Sequence, residues 1–464
     1  MEELYRAVER RNIDTAKTLL ARGTDANSTT PSGIGVFHLI SMTYKVTDII
    51  GIPFKYEDTF LIHEYNYAPL EKDQEAKTLE MAGLLLKSKA NINMMSLCGS
   101  TPLHIASKYN NDVMVKFLLE KGADLNVIDS YNNTPLFYSA YSGNVSTTRL
   151  LLDYGAKLHS RNKDECTPLH YAVNSNNNEL IRLLLDRGSV VNAVDRYNSS
   201  VLHKAINRQN LNIIKTLLDE GIDCNLKDNH GHTALHYAIC QKNNELTNML
   251  LCYGADPNLK DIYYHTPLYN AMLCSYPENI ETLLEFDADV NALDDLYKTP
   301  LTNARVDRVT DSVALKVISH LSFLESFNSI VTSSTGYKLN RQFIKNNERY
   351  SLMKQKCNNE IKMLKSIKLS KYSAEIFLSS KNINLLAKLV HHPTVKRFHV
   401  DFPIYCYKLR KSIETGIARR KWLDKGMKAL ESFDLFRVLP SYTKRDILEY
   451  LTQDDIQSLL YSKT

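Results

Sequence analysis

Residues Thr101–Asn133 read TPLHIASKYNNDVMVKFLLEKGADLNVIDSYNN, and the opening tetrapeptide returns, intact or altered, at Thr134, Thr167, Ser200, Thr233, Thr266 and Thr299, always 33 residues on. Five positions after each start stands a small residue, Ala106, Ser139, Ala172, Ala205, Ala238, Ala271 or Ala304. A Leu-Leu pair follows at the same period, from Leu118-Leu119 to Leu283-Leu284, and then a glycine, Gly122, Gly155, Gly188, Gly221 or Gly254. Each slot has a physical job. Thr and Pro suit the start of a first helix, the hydroxyl placed to cap free N–H groups and the proline fitting the first turn. The small residue lets the next repeat's helix approach, the Leu-Leu pair marks a second helix, and the glycine ends it in a left-handed conformation. One such unit cannot bury its own apolar face, so units must stack.

Period and motif together resemble the ankyrin repeat, which implies an all-α solenoid of helix–turn–helix units joined by hairpin-like fingers. The register extends backward to EELYRAVERRN at Glu2, with Ala7, Leu19-Leu20 and Gly23 in phase. GVFHLIS from Gly35 makes a first helix whose second half fails at Gly51 and Pro53, whereas the stretch from Ala68 fails first and then fits at Leu85-Leu86. Two readings stand: one repeat split by an insertion at about 46–74 that carries Phe54, Tyr56, Phe60, Tyr65 and Tyr67, or two degenerate repeats in phase. The array is expected to occupy residues 1–330 as about nine units, the last degrading after Thr299.

Composition sets the class. Of 464 residues, 44% are apolar and 23% charged, which is a folding chain rather than a disordered one. No apolar run approaches a membrane span and the first residues carry no signal-peptide core, so no membrane partner is expected. The eight cysteines show no CxxC pair or zinc spacing and are expected in the core. The net charge of +5 hides an asymmetry: residues 331–464 carry 26 Lys and Arg against 12 Asp and Glu, whereas the first 330 carry 31 against 40. The lysines are dispersed, as on a solvated face. No phosphate loop, nucleophile elbow or HExxH is present, and neither catalysis nor a cofactor is expected. His230, His232 and His236 lie close together, but His236 shares its slot with His104, His170 and His203, so a structural strut is favoured over a metal site.

Three positions before each tetrapeptide is a finger-tip residue: Tyr131, Asp164, Tyr197, His230, Tyr263 and Leu296. Tyr264 and Tyr297 follow at a slot where the ankyrin consensus has glycine. Large apolar side chains on solvated turns make candidate anchors for a protein target. The candidate target-binding residues are therefore Tyr131, Tyr197, Tyr263, Tyr264, Leu296 and Tyr297.

After about residue 335 the repeat disappears and the chain reads as basic helix over 331–438. It then runs LPSYTKRDILEYLTQDDIQSLL, Leu439–Leu460, a two-helix hairpin within residues 439–464. Ile447, Leu448 and Leu451 share one face, and Thr452 with Asp455 forms a capping box ahead of Ile456, Leu459 and Leu460. Leu439, Pro440, Ile447, Leu448, Tyr450, Leu451, Asp455 and Ile456 resemble the start of the F-box, while Tyr442 and Thr443 depart from its pattern. The resemblance implies docking to the Skp-type linker of a cullin ubiquitin ligase. An ankyrin array followed by a basic helical segment and a shortened terminal F-box, with FPIYCYKLRKSI at Phe402–Ile413, resembles the poxvirus ankyrin proteins with a PRANC domain.

That resemblance implies a non-enzymatic adaptor in the host cytoplasm, with the nucleus as the other compartment, that holds a host protein and recruits the ligase. The alternative is an ankyrin scaffold that blocks a host factor by occupancy. Nucleic-acid binding through residues 331–430, with 22 basic and 6 acidic residues, ranks last because no reading motif accompanies the charge.

Overall fold

The computed structural model describes residues 2–42, 72–303, 310–327, 333–369, 372–373, 395, 416–419 and 421. The chain divides into two compact units, Met1–Ile262 and Tyr263–Thr464.

Unit 1 is built from helix pairs: α1 (Glu2–Glu9) with α2 (Ile13–Ala21), α3 (Val36–Ser41) with α4 (Lys72–Lys87), α5 (Pro102–Lys108) with α6 (Asp112–Glu120), and α7 (Pro135–Tyr141) with α8 (Val145–Asp153). Then follow α9 (Pro168–Ala172) with α10 (Asn178–Asp186), α11 (Val201–Asn207) with α12 (Leu211–Asp219), and α13 (Ala234–Cys240) with α14 (Asn244–Cys252). First helices pack on first helices, and from α2 to α12 second helices pack on second helices. Leu118, Leu151, Leu184, Leu217 and Leu250 are fully buried between them. Burying each such side chain contributes about 1.5–3 kcal/mol.

The helix starts differ from expectation in one respect. Proline does take the first helical position after Thr101, Thr134, Thr167 and Thr266. Thr266 caps the Tyr269 N–H as expected, but the hydroxyls of Thr101, Thr167 and Thr233 are turned to the histidine three residues on. Thr101 Oγ1 lies 2.8 Å from His104 Nδ1, and the Thr101 N–H donates to the same nitrogen at 3.0 Å. His104 Nε2 faces the Asn133 carbonyl of the next finger at 3.0 Å. A carbonyl only accepts, so Nε2 must carry the proton and Nδ1 must be the acceptor. His203 bonds the His232 carbonyl in the same way at 3.2 Å. His104 and His203 therefore cap their own helices with one nitrogen and tie the next repeat with the other, whereas His170 caps through Nδ1 and its buried Nε2 has no hydrogen-bond partner among the described residues.

The same geometry orders the layers around residues 43–71. His38 Nε2 donates to the Ser100 carbonyl at 2.8 Å, and Asn111 Nδ2 donates to the Ser41 carbonyl, as Asn144 Nδ2 does to Ser107. Helix α3 packs against both α1 and α5, while α4 contacts α2 and α6. Helices from either side of the 43–71 segment thus stand as one layer. The aromatic residues expected in that segment lie outside the described residues.

Unit 2 opens with α15 (Pro267–Leu273) and α16 (Pro277–Glu285), then the short α17 (Pro300–Asn303) and the long α18 (Asp311–Phe327). The register stops in the sequence, but the packing continues. Helix α19 (Thr335–Asn346) packs on α17, and α20 (Glu348–Ser366) packs on α18. Asn340 Nδ2 donates to the Val290 carbonyl and to Asn291 Oδ1, both at 3.0 Å. Gly336 makes this approach possible, since a Cβ there would sit 1.9 Å from the Asn291 carbonyl oxygen. A two-residue antiparallel hairpin follows, Lys368–Leu369 with Tyr372–Ser373. The protein is otherwise helical among the described residues.

The cysteine expectation is corrected in part. Cys166, Cys224 and Cys357 are buried, but Cys240, Cys252 and Cys274 are exposed. The exposed three fall at the ends of α13, α14 and α15, where the last turn leaves the packed interface.

Candidate protein-binding surface

Thr30 and Ser96 hold the first two fingers through their hydroxyls, and Asp129, Asn162, Asp195, Asp228 and Asp294 hold later ones through an acidic or amide side chain at the base. Asp129 Oδ1 accepts the N–H groups of Tyr131 and Asn133, both at 2.8 Å. Asp195 does the same for Tyr197 and Ser199, and Asp228 for His230 and His232. In unit 2, Asp294 holds Leu296 and Lys298. This Asx-type turn spends the carboxylate on the backbone and leaves the tip side chain outside. Adjacent fingers are tied through the tip carbonyls: Lys163 N–H donates to Tyr131, Asn229 to Tyr197 and, within unit 2, Asp295 to Tyr263.

The second carboxylate oxygen meets a phenol. Tyr138 donates to Asp129 at 2.6 Å and Tyr237 to Asp228 at 2.8 Å. Burial first, and the neighbouring Asp228 carboxylate second, push the Tyr237 phenol up to about 12. These tyrosines are neutral struts. The histidines are neutral too: burial is the leading cause that lowers His104 and His170 to about 4, and it lowers His38 and His203 in the same direction.

Two clusters resemble metal sites. His232 lies 3.6 Å from Asp261 Oδ2 and 3.9 Å from Asp228 Oδ2, acidic neighbours that the sequence reading did not bring together. His265, Asp294 and Asp295 also converge. Asp294, however, already accepts two backbone N–H groups at one oxygen and the Tyr269 hydroxyl, at 2.9 Å, at the other. That occupancy fits a finger base better than a ligand set.

The tips divide by unit. In unit 1, Tyr131 is 40% exposed and Tyr197 61%. In unit 2, Tyr263, Tyr264 and Leu296 are all more than half exposed and Tyr297 reaches 75%. Tyr264 and Tyr297 have φ of +63° and +57°. The equivalent slot elsewhere holds Gly99, Asn132, Asn198 or Gly231, residues that tolerate the left-handed region, and once Glu165, at φ +58°. A bulky side chain there carries strain of about 1–2 kcal/mol. The F-box-like residues Leu439, Pro440, Ile447, Leu448, Tyr450, Leu451, Asp455 and Ile456 lie outside the described residues.

Sequence reasoning missed Tyr141 and Tyr171. They sit in α7 and α9 and line a cavity of about 300 Å3 with Tyr197, Asp164, Asp195 and Lys204. Aromatics on the first helices, rather than at the tips, were the available signal.

A family model for ankyrin repeats matches residues 74–162, 169–261 and 226–294, and one for the PRANC domain matches residues 369–461. The chain is an ankyrin-repeat protein, a class of protein–protein interaction module. More particularly, it is a poxvirus-type ankyrin-repeat protein with a C-terminal PRANC domain. It is 57% identical over 117 residues to ankyrin repeat protein FPV230 of fowlpox virus (strain NVSL), covering 25% of this chain and 62% of that one. It is 28% identical over 159 residues to FPV024 of the same virus, covering 34% of this chain and 27% of that one. The chain thus spans less than two thirds of either relative. Among solved structures it is similar to the ankyrin repeat domain of Bcl-3, at 27% identity and a TM-score of 0.43, covering 46% of this chain and 98% of that domain. Among the described residues, no helix is long and apolar enough to cross a membrane.

Proposed function

We propose that the protein is a non-catalytic substrate receptor that holds a host protein on its finger tips and brings a host Skp/cullin ubiquitin ligase to it. The observation that carries the reading is the pairing of strained, exposed tip aromatics with a PRANC match over residues 369–461. Target binding is assigned to Tyr131 and Tyr197 in unit 1 and to Tyr263, Tyr264, Leu296 and Tyr297 in unit 2. Ligase docking is assigned to the F-box-like residues from Leu439 to Ile456, in the host cytoplasm. Joining the two activities in one chain raises the local concentration of target at the ligase. The domain reading is an ankyrin array over residues 1–330 with one repeat split at about 46–74, a basic PRANC-type segment over 331–438 and an F-box-like hairpin over 439–464; the contact of α3 with α4 supports the split repeat.

The test is co-purification of the full chain with the Skp-type linker. L439A/P440A/L451A should lose the linker and keep the unfolding midpoint of the array. Undiminished linker binding overturns ligase recruitment. A deletion of residues 439–464 that stays fully active would favour inhibition by occupancy.

A further inference from the structure

The cavity between the fingers that precede Thr167 and Ser200 has a chemistry that the tip row does not. Its volume of about 300 Å3 lies at the small end of ligand sites and suits one side chain rather than a cofactor. Tyr141 and Tyr171 form one wall, with ring centroids 6.1 Å apart at 61°. Tyr197 lines the cavity from the next finger.

The charges are unequal in kind. Asp195 is buried, and it pairs with Lys204 Nζ at 2.8 Å while also accepting two backbone N–H groups. That pair is internally balanced. Asp164 is half exposed, and its salt bridge is to Arg196 at 3.0 Å, also half exposed. A solvent-exposed pair of this kind contributes little and exchanges readily. The Arg196 guanidinium carbon stands 5.8 Å from the centre of the Tyr197 ring. The chain's own arginine therefore already shows the two contacts available here, an aromatic face and an open carboxylate.

We propose that this cavity takes a cationic side chain of the protein partner, arginine in preference to lysine, which displaces Arg196 from Asp164 and stacks among Tyr141, Tyr171 and Tyr197. A planar guanidinium can stack on rings and bond a carboxylate at once, which an ammonium does less well. Arg196 acts as a surrogate that the incoming side chain must replace. This inference rests on the reading that the repeats bind a protein and specifies what that protein presents.

The experiment titrates the full chain, labelled with 13C-tyrosine, with the peptide acetyl-Gly-Arg-Gly-amide and, separately, with acetyl-Gly-Gln-Gly-amide. The expected result is a saturable shift of the Tyr141, Tyr171 and Tyr197 ring signals with the arginine peptide alone. R196A should tighten that binding several-fold and D164N should weaken it several-fold, with unchanged unfolding midpoints because both side chains are exposed. No saturable shift, an equal response to the glutamine peptide, or unchanged or weaker binding by R196A each overturns the proposal. The probe involves neither residues 439–464 nor the host target. Its failure is therefore distinguishable from failure of ligase recruitment or of target capture at the tips.

Discussion

Lowering the pH from 7 to 5 should loosen the array through its histidine struts, and the size of the effect follows from their geometry. His104 and His170 are buried and their rings are lowered to about 4, mainly by loss of solvent. In the unfolded chain the same rings titrate near about 6.5. The unfolded state then binds more protons than the folded one between these values. Stability is full above about pH 6.5 and is lost as the pH falls toward 4. For one ring the loss by pH 5 is about 2 kcal/mol, so the two together account for about 4 kcal/mol. His38 and His203 shift in the same direction and add to it. The carboxylates act in a different window. Burial raises Asp195 and Asp228, but hydrogen bonds from Lys204, Tyr237 and the backbone outweigh it and lower both. Their contribution is present above the unfolded carboxylate pKa of about 3.9 and is lost only below it.

Guanidinium unfolding followed by far-ultraviolet circular dichroism at pH 7.5, 6 and 5, at constant ionic strength, reads this directly. H104Q sharpens the test. It removes a buried strut, which should cost about 1–3 kcal/mol at pH 7.5. It also removes one titrating ring, so about 2 kcal/mol of the acid loss should vanish. The two stability profiles should converge near pH 5. Parallel profiles, or a parent chain equally stable at pH 7.5 and 5, would refute buried, neutral histidines as struts of the array.

Other outcomes follow from named contacts. Y264G and Y297G should each raise stability by about 0.5–1 kcal/mol, since relief of left-handed strain exceeds the added chain entropy, while co-purification of the host target falls. G231A should destabilise the array more than G221A, as read by thermal unfolding. Both have positive φ, but a Cβ at Gly231 meets the Asp261–Ile262 backbone at 2.9 Å whereas one at Gly221 meets nothing within 4 Å. G336A should release α19 from the Asn291 carbonyl, seen as faster amide exchange in α19 and α20 without change in unit 1. L184A should cost about 2–5 kcal/mol, the usual range for a fully buried leucine.

The repeat is legible because each slot answers to one geometric need. A Thr-Pro start, a helix-ending glycine and a Leu pair can be read without knowing their partners. What needs partners is harder to read. The histidine slot is visible in TPLH, but its division of labour between Nδ1 and Nε2 requires knowing which carbonyl lies 29 residues on. Asn111, Asn144 and Asn177 tie each second helix to the repeat before it, yet an asparagine ahead of a helix reads simply as a cap. The continuation of the stack into α19 and α20 rests on Gly336 and Asn340, which belong to no motif. The tip tyrosines were legible as a row, whereas their positive φ became evident only from the backbone.

The finger backbone separates what holds the array from what the array presents. Asp129, Asp195, Asp228 and Asp294 are each spent on two N–H groups of their own turn, and the tip carbonyls of Tyr131, Tyr197 and Tyr263 accept from the following finger. With the backbone polar groups satisfied inside the turn, the tip side chain is left at the surface. The left-handed slot next to it then favours glycine or asparagine on stability alone. Tyr264 and Tyr297 go against that preference on successive fingers of unit 2, beside Tyr263 and Leu296, which are also exposed. A stable scaffold gains nothing from such residues, and a surface that must grip another protein gains large, rigid contact area from them.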